Sequence, residues 1–275
     1  MATNKQIPIP RDPTKEEAHA LFNEVEEKFP SSTLGDGKWY ILTLAALVGG
    51  SQASHAPTLY SYLLTRPEFQ TPDQRQALMR RLREVLFKLI IIVGVCKPLD
   101  AVFEIEAVTR EEDRDYSFSR ENWQCDESNA QRGEQWLNRL YSHNMGGINK
   151  ALASQRDFAW TSKHITYGLY LSDHSILTDV ETEITVLTGI MMQNLPRETS
   201  WHLRGTRRIG VSSEDVETIQ QCIELVAQFC SHLYEALVRS MSRSSVHQWC
   251  QNRDQDQGLR KSKSTFDSCT GATFD

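Results

Sequence analysis

No stretch of this chain is apolar for long enough to cross a bilayer. The strongest run, Leu89–Val95 (LIIIVGV), falls far short of the roughly 20 residues a spanning helix needs. The amino terminus, MATNKQIPIPRDPTKEE, has no apolar core of the kind a secretory signal carries. Basic charge is also in short supply. A net charge of −6 and a pI near 5.8 argue against nucleic acid as the main partner, because phosphate backbones demand a basic stripe. The six cysteines, Cys96, Cys125, Cys222, Cys230, Cys250 and Cys269, form no CxxC pair and no zinc spacing. They read as free thiols of a reduced, cytoplasmic protein. The histidines include no H-x3-H or HExxH array, so no metal site is expected. Sustained strand alternation with hairpin turns is missing as well.

What is present is helical punctuation. TPDQRQALMRRLREVLFKLIIIVG opens with Thr71 as N-cap, Pro72 at the first helical position and Gln74 completing a capping box. Leu78, Leu82, Val85, Leu86, Leu89 and Val93 then recur at helical spacing. TDVETEITVLTGIMMQ repeats the device with Thr178 and Glu181. SSEDVETIQQCIELVAQFCSHLYEALV has a serine cap, acids in its first turn and a stripe through Val216, Ile219, Ile223, Val226, Cys230 and Leu233. Helical patterns also cover 16–28, 39–48, 57–64, 133–141 and 161–171. The expected fold is an all-α helical bundle. The chain divides into a flexible arm (1–13), a first helical half (14–107), a polar linker (108–131), a second half (132–240) and a disordered, aliphatic-poor tail (241–275).

The halves share a skeleton. Shifted by 99 residues, EVLFKLIIIVGVCKPLDAVF from Glu84 lies over EITVLTGIMMQNLPRETSWH from Glu183. Each is a helix with an acid near its start, an apolar body, a proline-containing turn and another helical start. Glu183 itself is unusual, because it shares a stripe with Val180, Leu187, Ile184 and Met191, and a carboxylate there is expensive to keep. One reading is a desolvated carboxyl that exchanges a proton near neutral pH. The structural alternative is an acid at the stripe's edge satisfied by Arg204 or Arg207. His202 stands nineteen residues downstream, with Glu198 one helical turn before it to fix the imidazole tautomer.

The second half, over about residues 130–232, resembles the carboxymuconolactone decarboxylase family. The resemblance is carried by Arg132-Gly133, Tyr167-Gly168, Leu177, Glu183, HLRG at 202–205, Gly210 and the SSEDVETI helix start. The first half resembles the divergent repeat of two-repeat fungal members. Peroxidatic relatives in the wider alkyl hydroperoxidase D-like superfamily carry E-x11-C-x2-C-x3-H. Here Glu183 and His202 keep that spacing, but the cysteine positions are Leu195 and Glu198. In the first half Glu84 leads to Cys96, then to Leu99 and Phe103.

The resemblance implies a cofactor-independent acid–base enzyme, a decarboxylase-like lyase for a small carboxylated or lactone metabolite, such as one of secondary metabolism. Glu183 and His202 would move protons, Arg204 would anchor the acid, and Trp201, Tyr167, Tyr170 and Glu198 would surround the substrate. It also implies a homo-oligomer, trimeric or hexameric, with no nucleic acid or membrane partner. Two other functions compete. A thiol peroxidase or reductase would use Cys96 with Glu84 and a resolving thiol such as Cys125 or Cys222. A non-catalytic helical binding protein would keep only the fold. For Glu84, Arg80 and Lys88 at four-residue spacing point to a salt-bridge ladder on a solvated face. Cys96, with no neighbour to activate it, reads more readily as packing.

Overall fold

Capping chemistry sets the first helix boundaries. A computed structural model describes residues 13–240, with side chains through Cys230. Thr14 caps α1 (Lys15–Lys28) in a reciprocal box with Glu17. The short α2 (Ser31–Leu34) leads to α3 (Trp39–Gly49) and α4 (Ala56–Leu63), followed by the long α5 (Pro72–Val93) and α6 (Cys96–Glu106). Beyond a connecting segment come α7 (Glu127–Tyr141), α8 (Met145–Ala151) and α9 (Arg156–Trp160), which runs into a π-helix, Thr161–Leu171. The chain continues through α10 (Asp179–Met191), α11 (Pro196–Arg208) and α12 (Ser213–Ser240). The described residues hold no strand, and the fold is an all-α bundle. None of their helices is long and apolar enough to cross a membrane. Pro13–Cys230 form one compact unit. Residues 1–12 and 241–275, read above as arm and tail, lie outside the described residues, as do Cys250 and Cys269.

The core sits where α3, α5 and α10 meet. All of α3 is buried, and so is α10 from Glu181 to Ile190, the pattern of helices enclosed on every side. Thr71–Gln74 and Thr178–Glu181 form the two capping boxes expected at the starts of α5 and α10. The two helices run parallel and in step. Arg81 pairs with Glu181, 100 residues away, at 2.7 Å. Gln193 Nε2 donates to Ile92 O, 101 residues away, at 3.0 Å. Between these polar ends Gly189 lets Leu89 and Ile92 approach, since a Cβ there would stand 2.8 Å from Ile92 Cγ2. The offset between contacting residues is near-constant along the pair, at 100 and 101 residues. Glu181 thus serves both its own helix cap and the inter-helix contact.

The polar segment 108–131 is no free linker. Arg75 donates to the buried Asp113 at 2.7 Å, and Arg83 and Arg80 reach Asp115 at 2.6 and 3.4 Å. Trp123 Nε1 donates to Leu169 O at 2.8 Å. Asp113 and Asp115 answer a row of arginines on α5 while most of the segment's other residues are exposed, and α7 begins inside it at Glu127. The solvated ladder expected around Glu84 is also corrected. Glu84 and Lys88 are buried and pair at 3.3 Å, while Arg120 from the segment closes on Glu84 with two bonds of 2.6 and 2.8 Å. Lys88 donates further to Tyr170 O and Asp173 O. Arg80 turns to Asp115 instead. A buried charge is tolerated only when paired and bonded, and this cluster meets that condition.

Candidate functional site

The Glu183 carboxylate leaves the core face of α10 toward α11, and His202 meets it there. His202 Nδ1 lies 2.8 Å from Glu183 Oε1, with the two side chains 4% and 0% exposed. Neither Glu198 nor an arginine takes these places. Glu198 pairs with Arg197 at 2.9 Å, and Arg204 donates to Ser200 O and Oγ at 3.0 Å each. Glu198 does lie one helical turn before His202 on α11, but a local surface pair captures its carboxylate. Glu183 Oε2 is buried and has no hydrogen-bond partner among the described residues. Such a group normally finds one, and its exceptions call for an explanation.

The relay continues beyond the residues singled out from the sequence. His202 Nε2 lies 3.0 Å from the Tyr141 hydroxyl, which is 2.6 Å from the Tyr167 hydroxyl. In the tautomer with the proton on Nδ1, that nitrogen donates to Glu183 Oε1, Nε2 accepts from Tyr141, and Tyr141 accepts from Tyr167. Burial pushes the Tyr141 hydroxyl well above its ordinary value; the Tyr167 hydrogen bond opposes this, while the charges of Glu183 and Glu198 add to it. Burial raises Tyr167 as well, and its Tyr141 neighbour adds to the effect. Both phenols therefore keep their protons through the neutral range. Tyr141 carries no motif signal. It closes the expected 133–141 helix, and only the fold carries it to His202.

Local backbone chemistry places each group. Gly205 sits one turn beyond His202, and a Cβ there would lie 3.4 Å from Glu183 Oε1 and 3.2 Å from Leu140 Cδ2. Its glycine lets α11 close on the carboxylate. Gly133 on α7 and Gly168 on the π-helix bring the two tyrosine-bearing elements together. A Cβ on Gly133 would stand 2.3 Å from Lys163 O and 2.7 Å from Gly168 N. The Asn129 amide bonds His164 O at 2.8 Å across the same crossing. Long π-helices are rare, and short ones frequently mark functional sites. Ser142, directly after Tyr141, is held at φ 49° and ψ −125°, strained for a non-glycine residue.

The outer wall is aromatic and basic. Trp201 meets the Tyr141 ring edge-on at 6.2 Å. It also lines a cleft of about 340 Å³ with His143, Asn144, Gly147, Ile148 and Arg204. Of the expected site residues, Glu183, His202, Tyr167 and Trp201 thus converge, with Arg204 at the mouth. Tyr170 does not join them: it stacks on Phe87 at 4.7 Å, beside the Glu84 cluster. Glu198 is held at the surface by Arg197.

Cys96 is exposed at the start of α6, while Glu84 is engaged by Lys88 and Arg120. Cys125 is exposed, and burial pushes the Cys222 thiol up to about 12. The described residues contain no disulfide and no cluster of His, Cys, Asp and Glu able to hold a metal. No protein-family model matches the chain, nor does any curated protein or solved structure. The site itself is a buried carboxylate–imidazole–phenol relay in an all-α bundle, with Trp201 packed between Tyr141 and an aromatic and basic cleft.

Proposed function

We propose that this protein is an acid–base enzyme of carboxymuconolactone decarboxylase type, working without a cofactor on a small carboxylated or lactone metabolite. The observation that carries the reading is the Glu183–His202 contact at 2.8 Å, continued through His202 Nε2 to Tyr141 at 3.0 Å. A carboxylate that orients an imidazole, and an imidazole that addresses a phenol, form a proton-transfer chain.

Arg204 at the cleft mouth anchors a substrate carboxylate. Trp201 bounds the substrate, and Tyr141, whose ring Trp201 meets edge-on, is the phenol of the chain that stands behind this wall of the cleft. In a decarboxylation the C–C bond pair passes into a carbonyl or enone of the substrate as carbon dioxide leaves. Tyr141 then protonates the resulting enolate, and a proton taken up from solvent returns to the phenolate through His202 Nε2, while Nδ1–H keeps its bond to Glu183. Tautomerisation uses the same chain without bond cleavage. The test is turnover of a panel of small keto-acids and carboxylated lactones, followed by carbon dioxide release and loss of substrate absorbance. Wild type is expected to turn over at least one, with His202→Ala and Glu183→Gln each reduced about 10²- to 10⁴-fold. Unchanged turnover in both variants would overturn the reading.

A further inference from the structure

A second cleft, of about 440 Å³, opens on the far side of Arg204 and is lined by Arg204, Arg207, Arg208, Val211, Ser212 and Ser213. The three arginines fall at i, i+3 and i+4, on one face of α11. Like charges so spaced repel. Even so, no carboxylate among the described residues forms an ion pair with any of the three, although the chain as a whole is acidic. The acids nearest in sequence are Glu198, Glu214 and Asp215; Glu198 pairs with Arg197 at 2.9 Å, and Asp215 Oδ1 accepts from Thr33 at 2.9 Å.

The guanidiniums are also partly fixed in advance. Arg208 Nη1 donates to Leu140 O at 2.7 Å and Tyr141 O at 3.0 Å, and Arg204 Nε and Nη2 bond Ser200. Arg207 is exposed. The Arg207 guanidinium, Arg204 Nη1, Arg208 Nε and Nη2 and two serine hydroxyls are left to donate, Ser212 Oγ also accepting from Asp215 N at 3.0 Å, and this set suits an anion with several acceptor oxygens and more than one charge.

We propose that this cleft binds the phosphate of a small organic phosphate ester, with the ester's body passing Arg204 to lie against Trp201. Arg204 lines both clefts, which puts Trp201 one arginine away from the basic cleft. Arg204 and Trp201 also belong to the substrate cleft of the acid–base reading, and the inference rests on that reading only for where the ester's body lies; Arg207, Arg208, Ser212 and Ser213 stand outside that cleft.

The test is calorimetric titration of the full-length protein with phenyl phosphate, inorganic phosphate and benzoate at matched ionic strength. Saturable binding of phenyl phosphate is expected, tighter than either of the others. Arg207→Gln, at an exposed position, should weaken it about tenfold, while an unchanged melting temperature without ligand shows that the fold is intact. Trp201→Ala should reduce phenyl phosphate to the affinity of inorganic phosphate. Glu183→Gln should bind phenyl phosphate as wild type does, which keeps this result separate from the fate of the relay. Equal affinity for phenyl and inorganic phosphate, or full affinity in Arg207→Gln, would overturn the proposal.

Discussion

His202 Nδ1 and Glu183 Oε1 approach to 2.8 Å inside the bundle, although nineteen residues separate them and they stand on different helices. Breaking this contact from either side has different consequences. Glu183→Ala leaves a buried imidazole without its partner and should cost about 2–4 kcal/mol of stability, in the range of disrupted buried pairs. Glu183→Gln keeps an acceptor for Nδ1 and should cost less. Urea denaturation of the two variants beside wild type checks the order.

Tyr141→Phe removes one oxygen that serves two partners, His202 and Tyr167. Packing is retained, so the expected loss is about 1–3 kcal/mol, the cost of leaving buried polar groups unsatisfied. Turnover should fall at least as far as it does in Tyr167→Phe, because only Tyr141 touches the imidazole. Parallel rate measurements on the two variants distinguish the phenols.

Gly133→Ala tests the crossing that sets Tyr167. The new methyl would meet Lys163 O and Gly168 N inside van der Waals contact, and backbone must move to admit it. A loss of about 1–3 kcal/mol is expected, together with a rate defect that Gly146→Ala does not show. Around Gly146 there is open space for the methyl.

Burial lowers the Lys88 ammonium to about 8, against the pull of Glu84 and Asp173. The unfolded chain still holds this proton up to the ordinary lysine range near 10.5. Between those values the unfolded state binds more protons, so the Lys88 contribution to stability rises with pH. Below about pH 8 both states hold the proton and this contribution is flat. Lys88→Met should remove that rise, which denaturation of both proteins at about pH 7, 8.5 and 9.5 measures as a change in their difference.

Thiol labelling followed by peptide mapping should separate the cysteines. Cys96 and Cys125, both exposed, should be labelled rapidly in the folded protein. Burial raises Cys222 and Cys230 to about 12, and both should resist labelling until the chain is unfolded.

Much of this fold is legible in the sequence because caps and stripes are local. Thr71, Thr178 and the apolar spacing of α5 mark helices that the structure reproduces to within a residue or two. The 108–131 segment reads differently because composition reports polarity and not its partner. Asp113 is charged and buried at once, since Arg75 and Arg110 meet it. Lys88 and Glu84 mislead for the same reason. At the site, Glu183 and His202 stand out because an acid on an apolar stripe is costly, whereas Tyr141 becomes visible only once α7 is packed on α11. Tyr170, three residues from Tyr167, faces another cluster altogether, and the wide turn of the π-helix makes such facing hard to read from an α-helical period.

The most direct test of acid–base chemistry at Glu183 and His202 works in the living cell, with the substrate still unidentified. The gene is deleted in its organism, and the strain is complemented with wild type or with His202→Ala expressed at equal level. Small carboxylated metabolites are then profiled by mass spectrometry. One such acid is expected to accumulate in the deletion strain, disappear with wild type and persist with His202→Ala. Full clearance of that acid by His202→Ala would contradict the proposed role of the relay.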